Sequence, residues 1–493
     1  MPNKYLIVLL IATLFSYGDI KADDKNIVES THQVELLKDM GLNHLLGRSG
    51  KAVDVDKGIR LLKDAFQQGS SSAAVTLADT YLQGNLISRN CDEGLMYANY
   101  AMEAGETSSY AILAQEYYLG RCVTYNQNHA VELLKQGVNA NNPTALTLFG
   151  VWHFFGTNVD KSNEKAFELF SRAAKLGHCN GQNYLGTMYE NGVFVAIDLS
   201  KAYEIYSTSV SEGCSESLKS LGYFYYDGKF VAQNFKQAYS YFYQAMLKGD
   251  VEAKSMVGIS LIEGKGIKKN VEKGIALLIQ AAEQGDSGSQ YLLSNQYYNG
   301  NNIDEDLEKS RYWAKLSALQ LDSWGQSWLG YLYEYGIGGE LDLQKAEHYY
   351  QLSLEQSTIS RLRLSTWYIE GTFYEKNHVA ARFILENGLD NADDLIVAKL
   401  GELLSCSPDN VVRDGKRAQK FIEDRIKGRE SFNVKLEVAL AAAYAEQGFF
   451  NLATKVMAKL EPQLLNNSFF DKETLQKLKE RSEQFKIYQP CRI

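Results

Sequence analysis

Proline is scarce, 5 in 493 residues, and no long stretch carries charge of a single sign. With 39 glycines, 45% apolar and 23% charged residues, this describes a folded, helix-tolerant chain and excludes disordered tracts. A formal net charge of −9 without clustered Lys and Arg excludes the cationic surface that nucleic acid requires, so nucleic acid is not an expected partner. Histidine is thin as well. None of His32, His44, His129, His153, His178, His348 and His378 pairs at the His-x-x-x-His ligand spacing, so no metal centre and no cofactor is expected. The stretch EGKGIKKN around Gly264 lacks the Gly-x-x-x-x-Gly-Lys-[Ser/Thr] spacing of a phosphate cradle, and acidic pairs such as Glu305 and Asp306 read as solvated loop.

Long apolar runs are missing too, except at the start. MPNKYLIVLLIATLFSYGDIKADD has one basic residue before its apolar run, Lys4, then the run over residues 5–17 and a polar exit containing Ala22, the layout of a secretory signal peptide over residues 1–22. A run of about 13 residues is short of the roughly 20 that span a bilayer, which leaves an uncleaved anchor as the alternative. No cysteine precedes Cys91 to carry a lipid. The expectation is an exported bacterial protein, periplasmic or secreted, without stable membrane insertion after signal cleavage.

A chain this long exceeds one ordinary core, so it holds either several domains or a repeat array. The glycines decide for the array. Gly84, Gly120, Gly156, Gly192, Gly228, Gly264, Gly300 and Gly336 each stand 36 residues from the last, and Gly371 follows at 35. Six residues before each glycine lies a small residue, as at Ala78, Gly150, Gly186 and Ser294, and eleven before another, as at Ala73, Gly181 and Ser289. Small side chains let neighbouring helix backbones approach closely. Seven before is usually Leu and three before usually Tyr, spacings that mark one helical face. A second helix follows a polar loop and often ends in glycine, as at Gly69, Gly105, Gly177 and Gly213. Around Gly137 the phase slips by four residues, and the unit at NHVAARFILENG is shortened. One such hairpin cannot bury its own apolar face, so the units must stack.

The units NGQNYLGTMYENG and EKAFELFSRAAKLG resemble the Sel-one-like repeat, a relative of the tetratricopeptide repeat. The expected fold is all-α: an α/α solenoid of about twelve stacked antiparallel hairpins. Residues 23–57 read as a degenerate N-terminal hairpin, 58–388 as the repeat solenoid, and 389–493 as tetratricopeptide-like repeats with a capping helix. The resemblance implies a protein-binding scaffold, in bacterial envelopes often tied to host interaction or signalling.

Export bears on the six cysteines, since thiols outside the cytosol tend to pair. In an antiparallel stack Cys91 and Cys122 share an edge, Cys179 and Cys214 meet at one end, and Cys406 with Cys491 would pin the C-terminal tail. Buried free thiols are the alternative.

Stacked hairpins curve, and the first helices are expected to line a concave groove that holds a protein or peptide partner. Two and five residues before the glycines stand Tyr118, Phe154, Tyr223, Tyr226, Tyr298, Tyr331 and Glu334, an aromatic set suited to partner contact. No catalytic residue is expected. The competing reading is a secreted penicillin-interacting or hydrolytic enzyme, since some cysteine-rich relatives are credited with penicillin binding. Ser162 and Lys165 match Ser-x-x-Lys, but no Lys-Thr-Gly or Ser-Asp-Asn accompanies them, and Ser162 stands where a helix N-cap belongs.

Overall fold

The computed structural model describes residues 22–47, 52–389, 393–427, 433–465, 472–487 and 489–492. The expected signal segment lies outside the described residues, except for Ala22, which opens the first helix. Among the described residues there are 25 α-helices and no strand, and no helix is long and apolar enough to cross a membrane. The chain divides into two compact units, residues 1–234 and 235–493.

The first unit holds α1 (Ala22–Leu46), α2 (Val55–Gln67), α3 (Ser71–Gln83), α4 (Cys91–Glu103), α5 (Ser108–Leu119), α6 (Gln127–Asn139), α7 (Pro143–Phe155), α8 (Asn163–Lys175), α9 (Cys179–Asn191), α10 (Leu199–Ser211) and α11 (Leu218–Asp227). The second holds α12 (Phe235–Leu247), α13 (Val251–Glu263), α14 (Val271–Glu283), α15 (Ser287–Asn299), α16 (Leu307–Leu319), α17 (Ser323–Glu334), α18 (Leu343–Leu352), α19 (Thr358–Glu370) and α20 (His378–Glu386). It continues through α21 (Asp394–Cys406), α22 (Gly415–Ile426), α23 (Val434–Glu446), α24 (Phe450–Leu465) and α25 (Lys472–Lys486). The odd-numbered helices are the first of each hairpin and the even-numbered the second. Residues 22–46 form one helix that pairs with α2, so the first hairpin extends to residue 67.

Each column of the period has a structural role. Eight of the nine glycines cap a first helix in left-handed backbone, which costs glycine least, and the ninth, Gly336, follows its cap Tyr335 by one residue. The small residue six before gives room to the second helix, to a ring at Gly150, Gly186 and Gly330 and to the Gly274 backbone at Gly258. A Cβ added to Gly150 would lie 2.6 Å from the Phe170 ring, and one on Gly330 2.7 Å from that of Tyr350. The residues eleven before, such as Ala73, Ser109, Ala145 and Ser289, are fully buried where a first helix crosses the second helix of the preceding hairpin. The recurrent Tyr meets the recurrent Lys of the same hairpin. Lys201, Lys309 and Lys345 stand 5.0, 5.2 and 5.4 Å from the ring centroids of Tyr189, Tyr297 and Tyr333. His153, which with Leu261 departs from the Tyr column, is buried with Nδ1 3.0 Å from the Asp160 carbonyl oxygen.

The slip expected at Gly137 does not occur. Helix α6 runs through Gly137 to Asn139, and Asn141, at φ 52°, takes the left-handed position that glycine fills in most other units. Gly137 is instead a crossing residue, since a Cβ there would lie 2.5 Å from that of Ala145. The last 36-residue unit is indeed short, α20 having 9 residues.

All six cysteines are bridged, Cys91–Cys122, Cys179–Cys214 and Cys406–Cys491, with Cα separations of 5.1, 5.3 and 4.9 Å. The first two bind the start of one helix to the loop after a neighbour, and the third ties the tail to the end of α21.

Candidate functional site

Within each unit successive first helices pack on one another, α3 through α9 in the first and α13 through α23 in the second, whereas among the described residues the second helices make no comparable contact with one another. The first-helix side is therefore the closed side of each wedge, and a continuous face of first-helix side chains results.

On that face the second unit carries a connected aromatic surface. Residues Trp324, Trp328, Tyr331 and Tyr335 follow one another at spacings of four, three and four, so they form one stripe along and just beyond α17. Trp328 stacks on Tyr331 at 5.2 Å with planes 9° apart, and Tyr331 leans on Tyr335 at 4.7 Å. From α15, Tyr298 meets Trp328 edge-on at 5.0 Å and Tyr291 approaches Trp324 at 6.1 Å. The Trp328 indole N–H donates to Ser294 Oγ at 2.8 Å, which fixes the ring against α15. Burial, helped by a hydrogen bond with Tyr298, pushes the Tyr331 hydroxyl up to about 12, so it stays a neutral donor at physiological pH. Trp324 is 58% exposed and Tyr335 49%. These two rings present their surface to solvent.

Glu334 lies behind this face. It is buried, and its carboxylate accepts from Tyr350 Oη at 2.7 Å, Arg363 Nε at 2.9 Å and Trp367 Nε1 at 3.0 Å. The Arg363 guanidinium also lies 5.2 Å from the Tyr335 ring centroid and donates to its hydroxyl. Glu334 thus joins α17, α18 and α19 from within.

Of the residues expected to face a groove, Tyr298 and Tyr331 are brought together. Tyr118 is half-buried against Trp152 at 5.2 Å, and Phe154 is half-buried beside Phe155 at 5.0 Å and Phe170 at 6.3 Å. Tyr223 and Tyr226 are half-buried on α11. Tyr291, Trp324, Trp328 and Tyr335 fall outside the two columns from which that set was drawn; continuing the stripe from Tyr331 at helical spacing reaches the last three.

Ser162 acts as a helix N-cap, its Oγ accepting from the Lys165 backbone N–H at 3.3 Å. Among the described residues one group of ligand atoms lies close enough for a metal, Cys179, Cys214 and Glu216, and its two sulfurs are joined in the bridge.

Face and fold together define a helical-hairpin solenoid. The chain belongs to the Sel1 repeat family, whose profile matches residues 71–106, 107–142, 143–178, 180–214, 215–250, 251–286, 287–320 and 325–357. Among solved structures it is similar to a protective antigen of uropathogenic Escherichia coli with an SLR fold, at 23% identity and TM-score 0.41 over 87% of this chain and 94% of that one. A Sel1 repeat protein from Oxalobacter formigenes shares 26% identity, TM-score 0.42, over 50% of this chain and 98% of that one. None of the curated proteins matches the chain. Family membership rests on the repeat matches themselves.

Proposed function

We propose that this protein is an exported, non-enzymatic scaffold that holds a protein or peptide partner against the first-helix face of its second unit, in envelope regulation or host interaction. The observation that carries the reading is the aromatic surface on α15 and α17, with Trp324 and Tyr335 exposed on a rigid stack. Rigid aromatic side chains lose little entropy on binding and supply large contact area, which is why they dominate interface energetics. Three disulfides support a place outside the cytosol. In this reading residues 1–22 are the signal, 58–388 the binding solenoid, and 389–493 tetratricopeptide-like repeats that close it.

Site-specific photocrosslinking in the native envelope tests the reading. A photoreactive residue at position 324 is expected to trap a discrete partner, and one at Tyr312, 55% exposed on the second helix α16, is not. With that partner purified, the double variant Trp324→Ala, Tyr335→Ala is expected to weaken binding at least about tenfold, roughly 1.4 kcal/mol. Equal trapping from both positions, or unchanged affinity in the double variant, overturns it.

A further inference from the structure

The loop between α13 and α14 carries a charge that the next loops do not. A Cβ on Gly266 would lie 2.0 Å from the Phe235 carbonyl oxygen, so this loop rests on the start of α12, and it leads into α14 at Val271. Lysines therefore gather from three stretches: Lys236 on the first turn of α12, Lys268 and Lys269 in the loop, and Lys273 on the first turn of α14. All four are exposed, and among the described residues none has an ion pair or hydrogen bond through its ammonium. A fifth, Lys265, pairs with Glu263 at 2.8 Å and stands 5.3 Å from the Phe235 ring centroid. One further carboxylate, that of Glu272, is exposed beside them.

The repeat sets these lysines apart. In the next two hairpins the equivalents of Lys273 are held twice: Lys309 and Lys345 pair with the cap carboxylates of Asp306 and Asp342, each at 2.9 Å, and stand over the rings of Tyr297 and Tyr333. Here the cap is Asn270 and the ring position is Leu261, so Lys273 has neither counterion nor ring. The loop inverts its sign as well, since Lys268 and Lys269 stand one period before Asp304 and Glu305. Packing does not demand the exchange, because Asn270, Asp306 and Asp342 cap their helices alike. A local surplus of cations on a chain of net charge −9 calls for an anionic partner, and its form selects among anions. Ammoniums on long flexible stems, spread over two helix starts and a loop, build no fork for a single phosphate or carboxylate. They suit many headgroup phosphates in one plane. Ile267, 37% exposed beside Lys268, adds an apolar side chain of the kind that enters a headgroup layer. The acidic loop of the next hairpin confines the contact to this one.

We propose that this loop docks the protein on an anionic phospholipid surface, with the ammoniums of Lys236, Lys268, Lys269 and Lys273 among the headgroup phosphates and the chain lying on the bilayer without crossing it.

Co-sedimentation of the full oxidised chain with vesicles at low salt, about 50 mM, tests it. Vesicles of phosphatidylglycerol and phosphatidylcholine in equal amounts are expected to bind at least about tenfold more tightly than phosphatidylcholine alone, and to lose at least about fivefold on raising the salt to about 200 mM. The exposed pair Lys268→Glu, Lys269→Glu is expected to weaken binding at least about tenfold with the thermal midpoint unchanged. The same change of charge at exposed positions of α22, Lys416→Glu, Lys420→Glu, is expected to cost less than about threefold. Asn270→Asp keeps the helix cap and gives Lys273 the counterion of the next hairpins, so it is expected to weaken binding about threefold. Inorganic phosphate at constant ionic strength is expected not to displace the vesicles, and a short DNA duplex not to bind. Equal binding to both vesicle types or to neither, a loop pair no more damaging than the α22 pair, displacement by phosphate, or tighter binding to the duplex overturns the proposal. None of these outcomes touches the aromatic face of α15 and α17, so the partner hypothesis stands or falls separately.

Discussion

Glu334 shows how one side chain can belong to the groove column in sequence and to the interior in space. Its two oxygens serve Tyr350, Arg363 and Trp367, donors on two different helices, and it is 8% exposed. Removing the charge leaves Arg363 without its counterion and two buried donors poorly matched, so Glu334→Gln is expected to lower unfolding free energy by about 2–4 kcal/mol in urea titrations. A loss below about 0.5 kcal/mol contradicts this role. His178 makes a pH-dependent contribution of the same local kind. It caps α9, with Nδ1 accepting from Gly181 N–H at 3.4 Å and 2.9 Å from Thr147 Oγ1, an arrangement that needs the neutral ring. Burial lowers its pKa from the ordinary 6.5, while nearby Glu216 works weakly the other way. On acidification the unfolded chain takes up this proton first. The contribution of His178 is therefore complete above pH 6.5 and shrinks as the pH falls below it towards the lower folded value. Asparagine caps equally well and does not titrate, so His178→Asn is expected to flatten stability between about pH 6.5 and 5 relative to the native chain. Identical pH profiles would refute the cap.

Helices and loops carry the next level of constraint. The Cys91–Cys122 bridge ties the first residue of α4 to the loop after α5 across a separation of 31 residues, so it restrains two successive hairpins at one edge. Replacing both by Ser is expected to cost about 3–4 kcal/mol through the freed unfolded chain, measured as a lower urea midpoint, and to leave the helical circular dichroism intact. An unchanged midpoint would show that the packing there is sufficient alone. At this scale most of the fold is legible in the sequence, because each column of the 36-residue period has a single steric role, whether left-handed cap, close crossing or ring seat. Gly137 misleads because glycine fills two of those roles and sequence spacing cannot say which. Asn141 and Leu321, with φ of 52° and 63°, show that residues other than glycine also occupy the left-handed stop. The N-cap column at Asp198, Asn270, Asp306 and Asp342 is open to the same reading as Ser162. The aromatic surface is only half legible. Tyr298 and Tyr331 stand out by column, but their joining through Trp328 depends on how α15 and α17 lie side by side, which no single helix pattern contains.

A chain whose contacts lie almost wholly between neighbouring hairpins should tolerate loss of a whole period and not of half of one. The junctions make the test clean. Asp286 and Asp322 are equivalent N-caps, accepting from Ser289 N–H and Gly325 N–H, each at 2.7 Å, and each is followed by Ser. Deleting residues 287–322 joins Asp286 to Ser323 with the cap preserved, and places Ala281 of α14 where Ser317 of α16 lay against Gly325. Ala281 is the smaller residue and demands no more room. Deleting residues 287–304 removes about half as much chain but joins a first-helix cap to a second-helix start, so every later helix meets the wrong face of its neighbour. The full-period deletion is expected to keep helical circular dichroism and one cooperative urea transition with a slightly smaller slope, and the half-period deletion to lose the transition. The shortened chain also lacks Tyr291 and Tyr298 while keeping Trp324 and Tyr335. Partner binding should therefore weaken at least about tenfold with the fold intact, separating the aromatic face from the scaffold that presents it. If the half-period chain folds as cooperatively as the full-period one, the steric columns do not set the register, and the stack must be held by something other than the repeat.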